Sequence, residues 1–440
     1  MAPEKEPSMR VSLCRINARL LFSLAVLLFA AMFILPVGKL WLADRYGRST
    51  DPRNWARAAR LEPRNPAYWH QLGVYEEWDV ARGNLSRASD HLKRAAALDP
   101  WSDANWMDLA NIDEALGNTK AATADYRQAE WAYPASPQVS WQFGSFLLRQ
   151  KDFLGASVYL RRALAEGSEL TLPILALCTR TGQPVSSVFR DILPAQNEYY
   201  LIALNYFISQ NNADAALESW HRLLTLETPL PMSASFPLLD EMIHTGRIRQ
   251  ALRVWQQALC KSNWPVDSAQ NASLVFNGGF ERNILDGGFD WRVVPTPGVT
   301  FERDPSVAHA GKQAMRMTFD GSSNLDFQNF YELVPIEPGR QYHFSAYLRT
   351  RAITTDSGMG FVVFDPLHDS APQSSTSTLI GTHPWTLLEA DLSTAPGTNL
   401  IEIALRRKPS EKFDNKISGT VWVDDVTLVP VGTNKKRVLP

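Results

Sequence analysis

The sequence predicts a multidomain chain: one apolar transmembrane helix, then an all-α solenoid of stacked helical hairpins, then an all-β sandwich. Three observations carry that reading. A charge-free run stands near the N-terminus, and the first half repeats small and bulky residues at a spacing of 34. Past Pro265 the apolar residues change to a period of two.

Length and charge bound the rest. With 440 residues there is room for two or three domains. A formal charge of −2 gives no electrostatic footprint for nucleic acid. The three cysteines, Cys14, Cys178 and Cys260, are too scattered to form a disulfide framework.

The N-terminal run is "LLFSLAVLLFAAMFILPVG", Leu20 to Gly38, bracketed by Arg19 and Lys39. About 19 apolar residues at about 1.5 Å each nearly cross a hydrocarbon core. Trp41 follows where an amphipathic ring settles at an interface. A cleaved signal peptide is the rival, but its apolar region is shorter and ends in small-x-small residues, which "ILPVGKLWLADR" lacks. Residues 1–19 are therefore expected to be a cytoplasmic tail and 20–42 an uncleaved anchor. Charge does not orient it, because Lys5, Arg10, Arg15 and Arg19 on one side match Lys39, Arg45, Arg48 and Arg53 on the other.

The repeat is read by superposing Pro100 on Pro134. Ala88, Ala122 and Ala156 then coincide, as do Leu92, Tyr126 and Leu160, and Ala95, Ala129 and Ala163. Trp69, Leu72 and Gly73 match Trp106, Leu109 and Ala110 once the insertion "VARGNLS" is allowed, and Phe143 and Gly144 continue the series. Small residues at these places let helix backbones approach while a bulky one fills the opposite groove. Gly117 stands where a turn needs positive φ. Worn copies follow in "YYLIALNYFISQNNADAALESWHRLL" and "LLDEMIHTGRIRQALRVWQQAL". Between them, "LTLPILALCTRTGQPVSSVFRDILP" reads as a worn repeat or two short helices, and "DPRNWARAARLEP" as a lone second helix capping the stack. The array is expected over 51–264. The pattern resembles the tetratricopeptide repeat, which implies a concave surface binding a peptide or protein partner. Tyr68, Trp101 and Trp131 are the candidate groove aromatics.

A polar linker at 265–272 precedes the second half. In "QYHFSAYLRT", Tyr342, Phe344, Ala346 and Leu348 share one face; in "AMRMTF", so do Met315, Met317 and Phe319; in "LIEIALRR", Ile401, Ile403 and Leu405. Short alternating runs split by turns such as "EPGR" predict a two-sheet sandwich over 273–430, with a tail at 431–440. The order "NGGFE", Trp291, "HAGKQAMRM", "IEPGRQYHFSAYLRT", "VWVDDVTLVP" resembles the carbohydrate-binding jelly rolls appended to xylanases and glucanases. That resemblance implies a structural calcium near Glu281 and Asp425, where first and last strands meet. The phase break between Val423 and Val426 predicts a bulge there. Sugar binding would use ring faces with polar groups beside them: Trp291, Tyr347 and Trp385, with Arg349, Glu402 and Arg406. Trp291 and Trp385 serve equally well as plugs of the sandwich ends.

No phosphate loop, His-Glu-x-x-His, Cys-x-x-Cys or nucleophile elbow appears in the sequence. With solenoid and sandwich occupying 51–430, no length is left for a catalytic domain. The expectation is a non-enzymatic scaffold without cofactor, apart from the calcium, held in a bacterial inner membrane with its bulk periplasmic or extracellular. Its contacts would be a protein and a polysaccharide, in the setting of exopolysaccharide assembly or export. The rival is a protein-binding assembly factor whose sandwich takes no sugar.

Overall fold

The computed structural model describes residues 9–78, 84–264, 273–368 and 371–431. The linker at 265–272 lies outside the described residues, as do 1–8 of the N-terminal tail and 432–440 of the C-terminal one. Contacts divide the chain into two compact units, Met1–Pro194 and Ala195–Pro440.

The first unit opens with α1, Met9–Gly47, whose Leu20–Gly47 portion is long and apolar enough to cross a membrane, a property that signal sequences share. Its last turns are no free stalk. Ala43 is fully buried and clusters with Ala58, Ala59, Tyr68 and Leu72, with Tyr46 against them. Ala58 and Ala59 belong to α2, Pro52–Leu61, which Asp51 caps by accepting the Arg53 amide at 2.9 Å. The segment expected to be a lone capping helix is therefore half of a hairpin whose other half is the end of α1.

Three hairpins in register follow: α3 Pro66–Trp78 with α4 Leu85–Leu98, α5 Asp103–Ala115 with α6 Thr119–Ala132, and α7 Pro137–Arg149 with α8 Phe153–Ala163. This is the tetratricopeptide-type array. The small residues stand where helices touch. A Cβ on Gly73 would lie 2.5 Å from Leu92 Cγ, and one on Gly144 2.9 Å from Leu160 Cδ2. Ala88, Ala122 and Ala156 are completely buried, and the Tyr126 ring fills the space opposite, stacked on Phe143 at 5.2 Å. The ambiguous stretch resolves into two short helices, α9 Thr171–Arg180 and α10 Val185–Asp191.

One turn recurs. Gly117 has φ +78°, and Lys151 and Gly182 take the same left-handed place at +66° and +73°. After each, the next amide reaches back five residues: Asn118 to Asp113, Asp152 to Leu147, Gln183 to Cys178, at 2.8, 3.0 and 2.9 Å. That is the Schellman closure, which satisfies a carbonyl left over at the helix end.

The second unit contains α11 Asn197–Ser209, α12 Ala213–Thr225, a 3-10 turn at Met232–Ser235, α13 Phe236–His244 and α14 Ile248–Lys261. Among the described residues ten strands follow: β1 Arg292–Val293, β2 Val299–Asp304, β3 Ala314–Asp320, β4 Phe330–Pro335, β5 Gln341–Ile353, β6 Gly360–Phe364, β7 Ser374–Ser375, β8 Gly381–Ser393, β9 Leu400–Arg406 and β10 Ser418–Pro430. They form two antiparallel sheets, β1-β4-β9-β6-β7 and β2-β3-β10-β5-β8. The residues assigned inward from the alternation, including Met317, Phe344, Leu348, Ile403 and Leu405, meet in one core. The register of β10 against β5 shifts between Asp424 and Thr427, at the expected bulge, with Asp425 at φ +49°. Within this unit the sandwich seats on the last helical hairpin. Gly287 leaves only 2.4 Å between a would-be Cβ and Phe236, Trp255 meets Phe276 edge-on at 5.1 Å, and Arg292 pairs with Asp240 at 2.6 Å.

Candidate functional site

The outer face of the β2-β3-β10-β5-β8 sheet brings together Arg316, Trp422, Arg349, Arg351 and Tyr347. Its side chains follow from the alternation: Met317, Val421 and Leu348 point in, so Arg316, Trp422 and Arg349, adjacent in register across β3, β10 and β5, point out. Trp422 is nonetheless only 4% exposed. The guanidinium groups of Arg349 and Arg351 each lie 5.4 Å from its ring. Its indole N–H donates to Asp304 Oδ2 at 2.9 Å, and Arg316 pairs with the same carboxylate at 3.1 Å. Burial pushes Asp304 up, but hydrogen bonds from Ser306 and Trp422, with Arg349 nearby, outweigh it and hold the carboxyl below its usual range.

Two residues along, Tyr347 pairs in register with Asp424. Its ring is covered by His309 from the β2–β3 loop, stacked at 3.5 Å and 15°. His309 is held twice: its backbone N–H donates to Asp424 Oδ2 at 2.7 Å, and its Nδ1 lies 2.6 Å from Asp425 Oδ2. Burial raises Asp424 to about 6, against the pull of the His309 and Asp425 amides. Trp385 on β8 meets the His309 edge at 5.8 Å and stays partly exposed.

The six residues predicted to hold sugar therefore separate. Tyr347, Arg349 and Trp385 share this face. Glu402 and Arg406 lie on β9 in the other sheet, so the two sets cannot line one site. Glu402 accepts from Gln328 at 2.8 Å, and Arg406 donates to the Phe327 carbonyl at 3.1 Å. Trp291 offers no face: it is wholly buried, stacked on Phe330 at 4.5 Å and packed against Phe280. It is a core plug. Sequence reasoning missed Trp422 and His309. Trp422 was findable, since it alternates with the inward Val421 and Val423; the loop-borne His309 carried no such signal.

Glu281 and Asp425, the expected calcium ligands, do line one cavity of about 360 Å³ with Gly278, Gly279, Ala310 and Gly311. Each carboxylate has one oxygen engaged, Glu281 Oε1 by the Lys312 amide at 2.7 Å and Asp425 Oδ2 by His309. Their other oxygens and the glycine carbonyls are the hard donors that calcium favours. Among the described residues, no group of three or more His, Cys, Asp or Glu is arranged to hold a metal.

Of the groove candidates in the first unit, Tyr68 is buried against α1, where a Cβ on Gly47 would come within 2.3 Å of its ring. It is a packing residue. Trp101, in the turn between α4 and α5, and Trp131, in the last turn of α6, are 67% and 56% exposed. They stack on each other at 4.6 Å.

No protein-family model matches the sequence, and no curated protein is similar to it. Similar solved structures include tailspike protein 4 of bacteriophage CBA120, at 16% identity and TM-score 0.27, covering 36% of this chain but 22% of the tailspike domain. The CBM22-1 xylan-binding domain of Xyn10C from Paenibacillus barcinonensis is similar at 16% identity and TM-score 0.26, covering 35% of this chain and 92% of that one. YrrB, a tetratricopeptide protein with a peptide-binding site, is similar at 13% identity and TM-score 0.25, covering 49% and 95%. Each likeness spans under half of this chain, so the two architectures rest on the hairpins and sheets described above.

Proposed function

We propose that this protein is a membrane-anchored, non-enzymatic scaffold whose helical repeats dock a protein and whose sandwich contacts glycan, in a bacterial envelope and beside polysaccharide assembly or export. The observation that carries the reading is the Trp101–Trp131 pair. Two indoles stacked together at the surface, 67% and 56% exposed, are what a docking patch presents before its partner covers it. A photocrosslinker at exposed Gln128, one turn before Trp131 on α6, should trap one discrete envelope protein, and Trp101→Ser with Trp131→Ser should abolish the adduct. A smear of unrelated proteins, unchanged by the double variant, would remove the docking role.

Glycan contact is assigned to Trp385, with the His309 edge and Arg349 beside it. Full-length protein in detergent should be retained on some polysaccharides of an array and lose retention with Trp385→Ala. A second reading, in which the sandwich only extends the scaffold, is favoured by the His309 ring lying over Tyr347; blank retention on every glycan would establish it. Turnover of soluble glucans or xylans would refute the non-enzymatic reading. Calcium belongs to the same proposal, held by Glu281 and Asp425 with nearby carbonyls, where it would fix the loop that carries His309. Helix α1 runs unbroken from the apolar stretch into the buried Ala43, which supports an anchor joined directly to the first hairpin. The C-terminal mass is placed outside the cytoplasm by analogy with exported sandwiches of this type. A reporter fused after Pro440 and active in the cytoplasm would overturn that placement.

A further inference from the structure

The end of α1 and the whole of α2 form an antiparallel hairpin joined by residues 48–51, with the Arg57 guanidinium 5.8 Å from the Tyr46 ring. Climbing α2 therefore means descending α1. Counting back from that pairing at about 1.5 Å per residue, Arg60 comes level with Trp41 to Ala43, within about 6 Å of Lys39 along the axis. Lys39 is where the charge-free run ends, so the C-terminal turn of α2 returns to the depth at which a bilayer's phosphates lie. Arg53, Arg57 and Arg60 form one exposed stripe of α2, opposite buried Ala58 and Ala59, and exposed Arg64 follows in the next turn. Between 39 and 64 there are seven Lys or Arg against three carboxylates. Those three are otherwise engaged: Asp44 pairs with Arg48, Asp51 caps α2, and Glu62 accepts from Asn65. Among the described residues, Arg60 and Arg64 have no carboxylate partner.

We infer that Arg60 and Arg64, supported by Arg57 and Lys39, bind the phosphates of anionic lipid headgroups and seat the first hairpin on the membrane surface. The inference rests on the anchored reading of α1. Continuity with the span commits the surface to lipid: the helix that carries these arginines is packed on the helix that crosses the bilayer. Guanidinium groups suit phosphate through paired N–H donors, and a basic cluster beside a span is drawn to an anionic leaflet.

The test uses the full chain with Cys14→Ser, Cys178→Ala and Cys260→Ser, reconstituted into phosphatidylcholine vesicles with roughly a quarter phosphatidylglycerol. One fluorophore is placed at Pro63→Cys, another in a separate sample at Phe29→Cys. Quenching at position 63 by a headgroup nitroxide lipid should be strong. It should fall by more than roughly half with Arg60→Gln and Arg64→Gln, or in neutral vesicles, since the attraction needs both charges. Arg53→Gln, about 10 Å farther along α2, should change it little. An unquenched or variant-insensitive position 63, while Phe29 is quenched by a mid-chain nitroxide, overturns the headgroup proposal and leaves the anchor standing. An unquenched Phe29 removes the anchor and the proposal together.

Discussion

The two architectures differ in how they treat the tryptophans singled out for binding. In the helical repeats Trp101 and Trp131 stand 67% and 56% exposed, with only each other for cover. In the sandwich Trp291 is sealed in the core, Trp422 lies beneath two arginines and Tyr347 beneath a histidine, which leaves Trp385 as the accessible indole of the predicted set. Exposed rings without a structural duty point to docking. Covered rings make the sandwich first a structural body.

That contrast is broken most directly at Trp291. Trp291→Ala should cost about 3–5 kcal/mol in chemical unfolding of the second unit, the usual penalty for emptying a fully packed aromatic site. A loss under about 1 kcal/mol would mean that the ring is not a core plug. Next is calcium. A ligand bound only by the folded state, at a hundred times its dissociation constant, adds about 2.7 kcal/mol. Removing calcium with a chelator should therefore lower the melting temperature, and Asp425→Asn should abolish that response. No change in the unmodified protein would contradict the site.

Smaller effects sharpen the comparison on the helical side. Lys151 occupies a left-handed turn position that Gly117 and Gly182 fill in neighbouring hairpins. Lys151→Gly should raise stability by about 0.5–1 kcal/mol by relieving that strain, and a drop would contradict the turn assignment. Asp125 is pushed up to about 7 by burial and by Asp113, with which it shares a hydrogen bond. The folded state then holds a proton that the unfolded chain has lost above about pH 4, so this pair's contribution to stability falls as pH climbs from about 4 to about 7. Asp125→Asn should be the more stable protein at pH 8 and nearly equal to the parent at about pH 3.5 by thermal melts; parallel curves would sink the assignment. Smallest of all, Trp101→Ser with Trp131→Ser should alter unfolding by less than about 0.5 kcal/mol each, because both are exposed, while removing partner capture.

The legibility of the sequence differed between the regions in the same sense. Small residues at fixed spacing have one physical use, close helix approach, so Gly73, Ala122 and Gly144 announced their hairpins. Lys151 was invisible because its turn is set by backbone geometry that glycine merely eases. In the sandwich, period two told inward from outward but not which sheet a strand joins; hence Glu402 and Arg406 were grouped with residues of the opposite face. Nor does alternation reveal what a loop lays over a ring, as His309 does over Tyr347. Trp291 failed as a site because an indole in a turn reads alike whether it plugs a core or meets a ligand. The role of α1 was half legible: its apolar length was plain, its partnership with α2 was not, because Ala43, Tyr46 and Gly47 carry no repeat signature.

The central claim is that the anchor helix and the first repeat are one continuous piece. Intact mass and N-terminal sequencing of the chain extracted from membranes tests it most directly. The mature protein should retain Leu20–Gly38 and begin upstream of that run. A mature chain beginning after Gly38, recovered in the soluble fraction, would contradict the scaffold's attachment to the membrane through α1.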